Sequence, residues 1–220
     1  MDQENTGLLL LSPVAVKPQL QRQHISKDLI EYGFEKAKQM GCVTVSVSSN
    51  PDTAIEKVAD IKQPRILDVC TGSGCIALAL ADRLRGASVT AVDISDDALA
   101  IARRNEERLQ LGVEFIKDDA LAHLPGLADR KFDVIVSNPP YIPISERESM
   151  HVNVVNFEPD IALFVADDDP LIFYREIAVT AKHILADNGY LLFEIHQPLA
   201  QQTVKMLQEL GYDAVELRND

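Results

Sequence analysis

From Arg65 onward, short apolar runs alternate with longer stretches of helical periodicity, and this alternation narrows the fold more than any other feature of the chain. Ile66-Leu67-Asp68-Val69-Cys70 reads as a buried strand, and residues 74–85, with Ile76, Leu78, Leu80 and Leu84, as an apolar helix ending near Gly86. Ser88–Asp93 predicts a second strand, and Ser95 caps a helix running to about Leu111. Val113–Ile116 follows as the third strand, Leu121–Leu127 as a short helix and Phe132–Val136 as the fourth strand. Residues 170–186 are expected to be helical and closed by Asn188-Gly189. Tyr190–Ile195, Leu199–Leu210 and Asp213–Leu217 then predict a fifth strand, a helix and a sixth strand. Strands separated by helices imply a mainly parallel, doubly wound α/β sheet with helices on both faces. Ligands of such sheets bind beyond the carboxyl ends of the strands, so the loops after Val69, Val92, Ile116, Val136 and Ile195 share one rim.

The chain upstream is less regular. Residues 1–16 show no periodicity. Residues 17–40 look helical, with Ile30, Phe34 and Ala37 at helical spacing, and Val43, Val45 and Val47 alternate like a half-buried strand. Asn50-Pro51-Asp52 marks a turn, and Thr53–Ile61 reads as a short helix before Pro64. This divides the chain into a mostly helical extension over residues 1–55 and the α/β domain over 56–220.

At 220 residues the chain suits one domain with a modest extension, and 25% charged residues are ordinary for a globular protein. A formal net charge of −13 repels phosphate backbones and argues against stable nucleic-acid binding. Arg83, Arg85, Arg103 and Arg104 fall on helix patterns among acids and form no basic patch. Cys42, Cys70 and Cys75 have neither metal-ligand spacing nor an even count, which fits a cytoplasmic protein and no metal. The apolar run Leu8–Leu11 is too short to span a bilayer, and the acidic N-terminus lacks the basic region of a secretory signal.

Two rim loops carry chemistry. Asp68-Val69-Cys70-Thr71-Gly72-Ser73-Gly74-Cys75-Ile76-Ala77 places Gly-x-Gly-x-x-Ala between a strand and a helix. Gly72 allows the tight turn, Gly74 is expected to let the backbone approach a ligand, and Ala77 keeps helix and strand close. About 20 residues further on, Asp93 ends the second strand, where a carboxylate can accept both hydroxyls of a ribose. Together they point to an adenosine-containing cofactor, NAD or S-adenosylmethionine. The second loop, Ser137-Asn138-Pro139-Pro140-Tyr141, is a stiff corner at the end of the fourth strand. Asn138 offers a carboxamide oxygen, Pro139 a backbone carbonyl and Tyr141 an aromatic face, a set suited to a planar –NH2 group. An NAD enzyme has no use for that corner beside its cofactor loop, whereas an amino-group methyltransferase does.

From about Pro64 to Asp220, the sequence resembles the catalytic domain of the protein-(glutamine-N5) methyltransferases that act on peptide chain release factors, a class I, Rossmann-like family. The resemblance is carried by Leu67–Gly74, Ala91-Val92-Asp93-Ile94-Ser95, Ser137-Asn138-Pro139-Pro140-Tyr141-Ile142-Pro143, Phe157-Glu158-Pro159 with Ala162-Leu163-Phe164, and Asp167–Tyr174. It implies S-adenosylmethionine held by Cys70, Thr71, Gly72, Ser73 and Gly74, with Asp93 on the ribose and Asp119 and Ala120 near the adenine. Helix capping is the competing role for Asp119. It further implies that Asn138, which also contacts the cofactor, and the Pro139 carbonyl hold the substrate carboxamide, with Pro140 and Tyr141 packing against it, while Glu158 either orients the lid loop or makes a structural salt bridge. Glu194 and His196 would support the site rather than catalyse. The segment Ile142–Asp169 is longer than an ordinary connection and is expected to be a lid or binding loop.

Two departures accompany the resemblance. Where the family carries Pro-Arg-Pro-(Glu/Asp)-Thr, this chain reads Ser49-Asn50-Pro51-Asp52-Thr53, so an arginine contact to the cofactor is replaced by Asn50. A last, antiparallel strand expected after the sixth is apparently missing. The implied reaction is methyl transfer to a glutamine in the Gly-Gly-Gln segment of a release factor. The alternatives are methylation of an exocyclic amine on DNA or RNA and a non-catalytic cofactor-binding paralogue.

Overall fold

The computed structural model describes residues 51–149, 159–212 and 214–217. Residues 1–50 of the expected extension, and with them Asn50 and Cys42, lie outside the described residues, as does Glu158. A short helix α1 (Pro51–Lys57) precedes β1 (Arg65–Val69), α2 (Cys75–Arg83), β2 (Ser88–Asp93), α3 (Asp96–Leu109) and β3 (Glu114–Lys117). Two 3-10 turns, Ala120–Ala122 and Pro125–Leu127, lead to β4 (Phe132–Ser137). Next come β5 (Ile142–Pro143), a 3-10 segment (Ile144–Ser149), α4 (Asp160–Leu163) and β6 (Phe164–Val165). The described chain closes with α5 (Ile172–Ile184), β7 (Leu185–Phe193), a 3-10 turn (Gln197–Leu199) and α6 (Ala200–Glu209).

The central sheet runs β3-β2-β1-β4-β7, with every pairing parallel. Its interior strands are mostly apolar because both faces are covered, with Asp68 and Thr90 among the buried polar exceptions. Successive residues of β1 serve opposite layers: Ile66 packs with Ala54, Val58, Ala77 and Leu80, while Leu67 and Val69 pack with Leu127, Ile135, Ile177 and Ala181. Polar edge contacts fix strand ends. Arg65 grips Asp133 with its backbone N–H (2.7 Å) and with two guanidinium nitrogens (3.1 and 2.8 Å), joining the starts of β1 and β4.

Several expectations change. Residues 214–217 form no strand, so the predicted sixth strand is absent and the sheet has five strands among the described residues. The helix expected to close at Asn188-Gly189 ends at Ile184; Leu185 already pairs with Phe132, and an irregularity in the ladder absorbs the residues before Tyr190 pairs with Val134. Asn188 sits there at φ 59. The helix read over Leu121–Leu127 is two 3-10 turns, and that read over Thr53–Ile61 spans Pro51–Lys57. The long segment after Tyr141 has structure at both ends: β5 and β6 form a parallel pair, and Asp167 accepts from the backbone N–H and hydroxyl of Ser145 at 2.9 and 2.7 Å.

Candidate active site

The parallel register sets Val69, the last residue of β1, against Ser137, the last of β4. The buried Ser137 hydroxyl donates to the Val69 carbonyl at 2.7 Å, and the Ser137 carbonyl accepts from the Glu194 N–H at 3.0 Å. The glycine loop after β1 and the Asn-Pro-Pro-Tyr corner after β4 are therefore locked side by side, with the end of β7 beyond them.

Beyond Val69 the chain turns through Cys70 at φ 59, a conformation unusual outside glycine. The Thr71 N–H donates to the Val92 carbonyl (3.0 Å) and the Gly74 N–H to the Thr71 carbonyl (3.0 Å). The loop is organised from beneath by Asp68, which is fully buried. Its Oδ2 accepts from Thr71 Oγ1 at 2.6 Å and from the Ala77 N–H at 3.2 Å, while its Oδ1 has no hydrogen-bond partner among the described residues. Burial pushes its carboxyl up to about 7, against the opposing pull of those two hydrogen bonds. The sequence offered this residue only as part of a strand; an acid within an apolar run, just before a glycine loop, was the available signal.

The two glycines have different reasons. A Cβ on Gly72 (φ +56) would point into open space. A Cβ on Gly74 (φ +83) would meet Phe115 Cζ at 3.0 Å, Phe115 Cε1 at 3.1 Å and Ala102 Cβ at 3.2 Å. Gly74 is thus required by α3 and β3 packing against the start of α2, whereas Gly72 is the one with room beside it.

Asp93 ties neighbouring loops together. Its Oδ2 accepts from the Gly72 N–H at 2.8 Å and its Oδ1 from the Ser95 N–H at 2.9 Å, leaving each oxygen a further lone pair. Asp119 caps the first 3-10 turn, its Oδ1 accepting from the Leu121 N–H at 2.8 Å, and Ala120 is buried at the start of that turn. Helix capping, the competing role for Asp119, is what its carboxylate does here. Ile94 (47% exposed) and Leu121 (38% exposed) follow Asp93 and Ala120 as large apolar side chains facing solvent on this rim. The sequence reading passed over both, although an apolar residue directly after a strand-end acid was visible.

The shallow groove at the opposite, amino end of the sheet, lined by Arg65, Thr90, Arg130 and Lys131, is no rival. Arg65 is held by Asp133, Arg130 by Glu114, and Lys131 donates to the carbonyls of His183 and Leu185.

A family model described as a methyltransferase domain matches residues 66–156, the stretch that holds both rim loops. This stretch is a methyltransferase domain, and the sheet with its flanking helices has the class I, Rossmann-like α/β fold. It is 43% identical over 164 residues to a release factor glutamine methyltransferase of Flavobacterium psychrophilum, covering 74% of this chain and 57% of that one. A protein of the same name from Bacteroides thetaiotaomicron is 42% identical over 178 residues, covering 81% and 60%. The chain thus spans little more than half the length of these curated relatives. Among solved structures, the ribosomal protein L11 methylase of Lactobacillus delbrueckii subsp. bulgaricus superposes with a TM-score of 0.51 at 22% identity, over 77% of this chain and 71% of that one, a likeness of fold.

In this domain the predicted residues that the structure describes stand at or after the carboxyl ends of β1, β2, β3 and β4. Asn138 is half-buried, and Pro139 and Pro140 are buried. The Tyr141 hydroxyl donates to Glu194 Oε1 at 2.7 Å. The Tyr141 ring lies on that of His196, with centroids 5.8 Å apart and planes inclined by 20°.

Proposed function

We propose that this methyltransferase transfers a methyl group from S-adenosylmethionine to the side-chain amide nitrogen of a glutamine in a protein, the Gly-Gly-Gln segment of a peptide chain release factor. The observation that carries the reading is the adjacency of the Asn138–Tyr141 corner to the Gly72 loop, through the Val69–Ser137 register and its 2.7 Å hydrogen bond. The names of the curated relatives support the same substrate. The donor set fits this cofactor: open space beside Gly72, spare acceptor capacity on Asp93 for a ribose, and exposed apolar faces at Ile94 and Leu121 for an adenine. Cys70, Thr71, Ser73 and Gly74 complete the loop, with the backbone around Asp119 and Ala120 closing the adenine side. Bound there, S-adenosylmethionine supplies an electrophilic methyl carried on a sulfonium sulfur.

The work of the chain is orientation. An amide nitrogen is a poor nucleophile because its lone pair is delocalised. Asn138 Oδ1 and the Pro139 carbonyl accept the two N–H groups, fixing the nitrogen and raising its electron density. Pro139 and Pro140 keep the corner rigid, since their φ angles are locked. Tyr141 packs against the amide plane. Orientation of reactants can supply several orders of magnitude in rate without a strong base. Such a substrate places the enzyme in the cytoplasm.

The second reading, methylation of an exocyclic amine on DNA or RNA, uses the same corner, but a net charge of −13 opposes the phosphate contacts that base extrusion needs. Incubation with labelled S-adenosylmethionine, a release factor and a tRNA or DNA pool separates the two. Label on the release factor, lost on Gln-to-Ala change in its Gly-Gly-Gln segment, is expected; label on the nucleic acid overturns the proposal. Asn138→Ala should cut turnover by at least about 100-fold while cofactor affinity stays within a few fold. An equal loss of both would remove Asn138 from substrate orientation.

A further inference from the structure

His196 belongs to no glycine loop and no substrate corner, yet it joins four parts of the rim. Its backbone N–H donates to the hydroxyl of Tyr174, at 3.2 Å, and the Tyr174 side chain is wholly buried under α5. Its Nε2 lies 3.0 and 3.1 Å from the two carboxylate oxygens of Glu146, in the 3-10 segment that follows the corner. Its ring lies on that of Tyr141, whose hydroxyl is held by Glu194. The partners are far apart in sequence, 50 residues for Glu146–His196 and 53 for Tyr141–Glu194, so only the tertiary fold brings them together.

A hydrogen bond at the hydroxyl tip fixes one end of a tyrosine ring. A surface against the ring face restrains the ring plane as well. The His196 side chain is only 15% exposed and is fixed from below by the core, so it can serve as that surface. Its bond to Glu146 carries the same restraint into the residues just after Pro143.

We propose that His196 is a positioning residue for the transfer reaction: it fixes the Tyr141 ring and, through Glu146, clamps the 144–149 segment over the Asn138 corner. The inference rests on the methyl-transfer reading above for its catalytic consequence, but the clamp itself has a readout that needs no activity. Arg147 is the only Lys or Arg between Lys131 and Arg175, so trypsin cleavage after it reports opening of this segment.

The experiment compares wild type with His196→Phe, which keeps an aromatic surface but loses the bond to Glu146, with Glu146→Ala, which leaves His196 in place, and with the double variant. Each single variant should raise the rate of cleavage at Arg147 severalfold. Each should also lower kcat toward a release factor about tenfold, with S-adenosylmethionine affinity unchanged, and the double variant should be no worse than either single one. Additive losses, or cleavage as slow as in wild type, overturn the clamp. Absence of methyl transfer by the wild-type chain refutes the substrate reading instead, and the trypsin arm still decides the clamp. Melting temperatures identify a variant that fails to fold, in which case Glu146→Leu, which keeps much of the bulk but has no side-chain oxygen to accept from His196, takes its place.

Discussion

Replacing each loop glycine by alanine tests the division of labour between them. In Gly74→Ala the new methyl arrives 3.0–3.2 Å from Phe115 and Ala102 at a backbone φ of +83. The left-handed conformation costs about 1–2 kcal/mol for a residue with a Cβ. Forcing a methyl between packed side chains costs about 1–3 kcal/mol more, because Phe115 must shift against the start of α2. The sum, roughly 2–5 kcal/mol, corresponds to a fall in melting temperature of about 5–15 °C for a chain of this size. Gly72→Ala carries only the backbone cost of about 1–2 kcal/mol, since nothing lies within 4 Å of its Cβ position. Its methyl would instead occupy the space assigned to the cofactor. Thermal unfolding and calorimetric titration with S-adenosylmethionine should therefore separate the two: Gly74→Ala loses mainly stability, and Gly72→Ala loses at least about tenfold in affinity. If Gly72→Ala bound the cofactor as wild type does, the open side of this loop would not be the cofactor's place. If Gly74→Ala were no less stable than Gly72→Ala, packing would not be the reason for that glycine.

Two further outcomes follow from the same rim. Asp68 ionises near the ordinary carboxyl value of 3.8 when unfolded but holds its proton to about 7 when buried, so the folded state binds the extra proton between these values. Its contribution to stability is therefore greatest at low pH, declines as pH rises from about 4 to about 7 and is level above; Asp68→Asn should flatten that part of a melting-temperature profile, and parallel profiles would show that Asp68 ionises normally. Ser137→Ala leaves the Val69 carbonyl without its buried donor and should cost about 1–3 kcal/mol in denaturant unfolding, whereas an unchanged midpoint would mean that the strand ends are held by the ladder alone.

What could be read from the chain, and what could not, follows from the range of the interactions involved. Ser88–Asp93 was expected as a strand and is one, because a strand buried on both faces writes its burial into consecutive residues. The cap at Ser95 was equally legible, being a local bond to the Ala98 N–H. β5 and β6 escaped notice because strands of two residues exist only through each other. The sixth strand was read from alternation alone, and alternation does not supply a neighbour to pair with.

The sequence by itself determined the order of strands and helices, the glycine turn, the strand-end Asp93 and the stiffness of the corner at Asn138–Tyr141, since periodicity, φ preferences and proline geometry are properties of neighbouring residues. The tertiary structure decided which residues stand beside one another. It set Ser137 against Val69, so that the corner stands beside the glycine loop, and it packed Phe115 against the start of α2 so that only a glycine fits at position 74. It also carried His196 to Tyr141 and Glu146. Those contacts depend on strand register and on layers closing over a common core, and no window of sequence contains them.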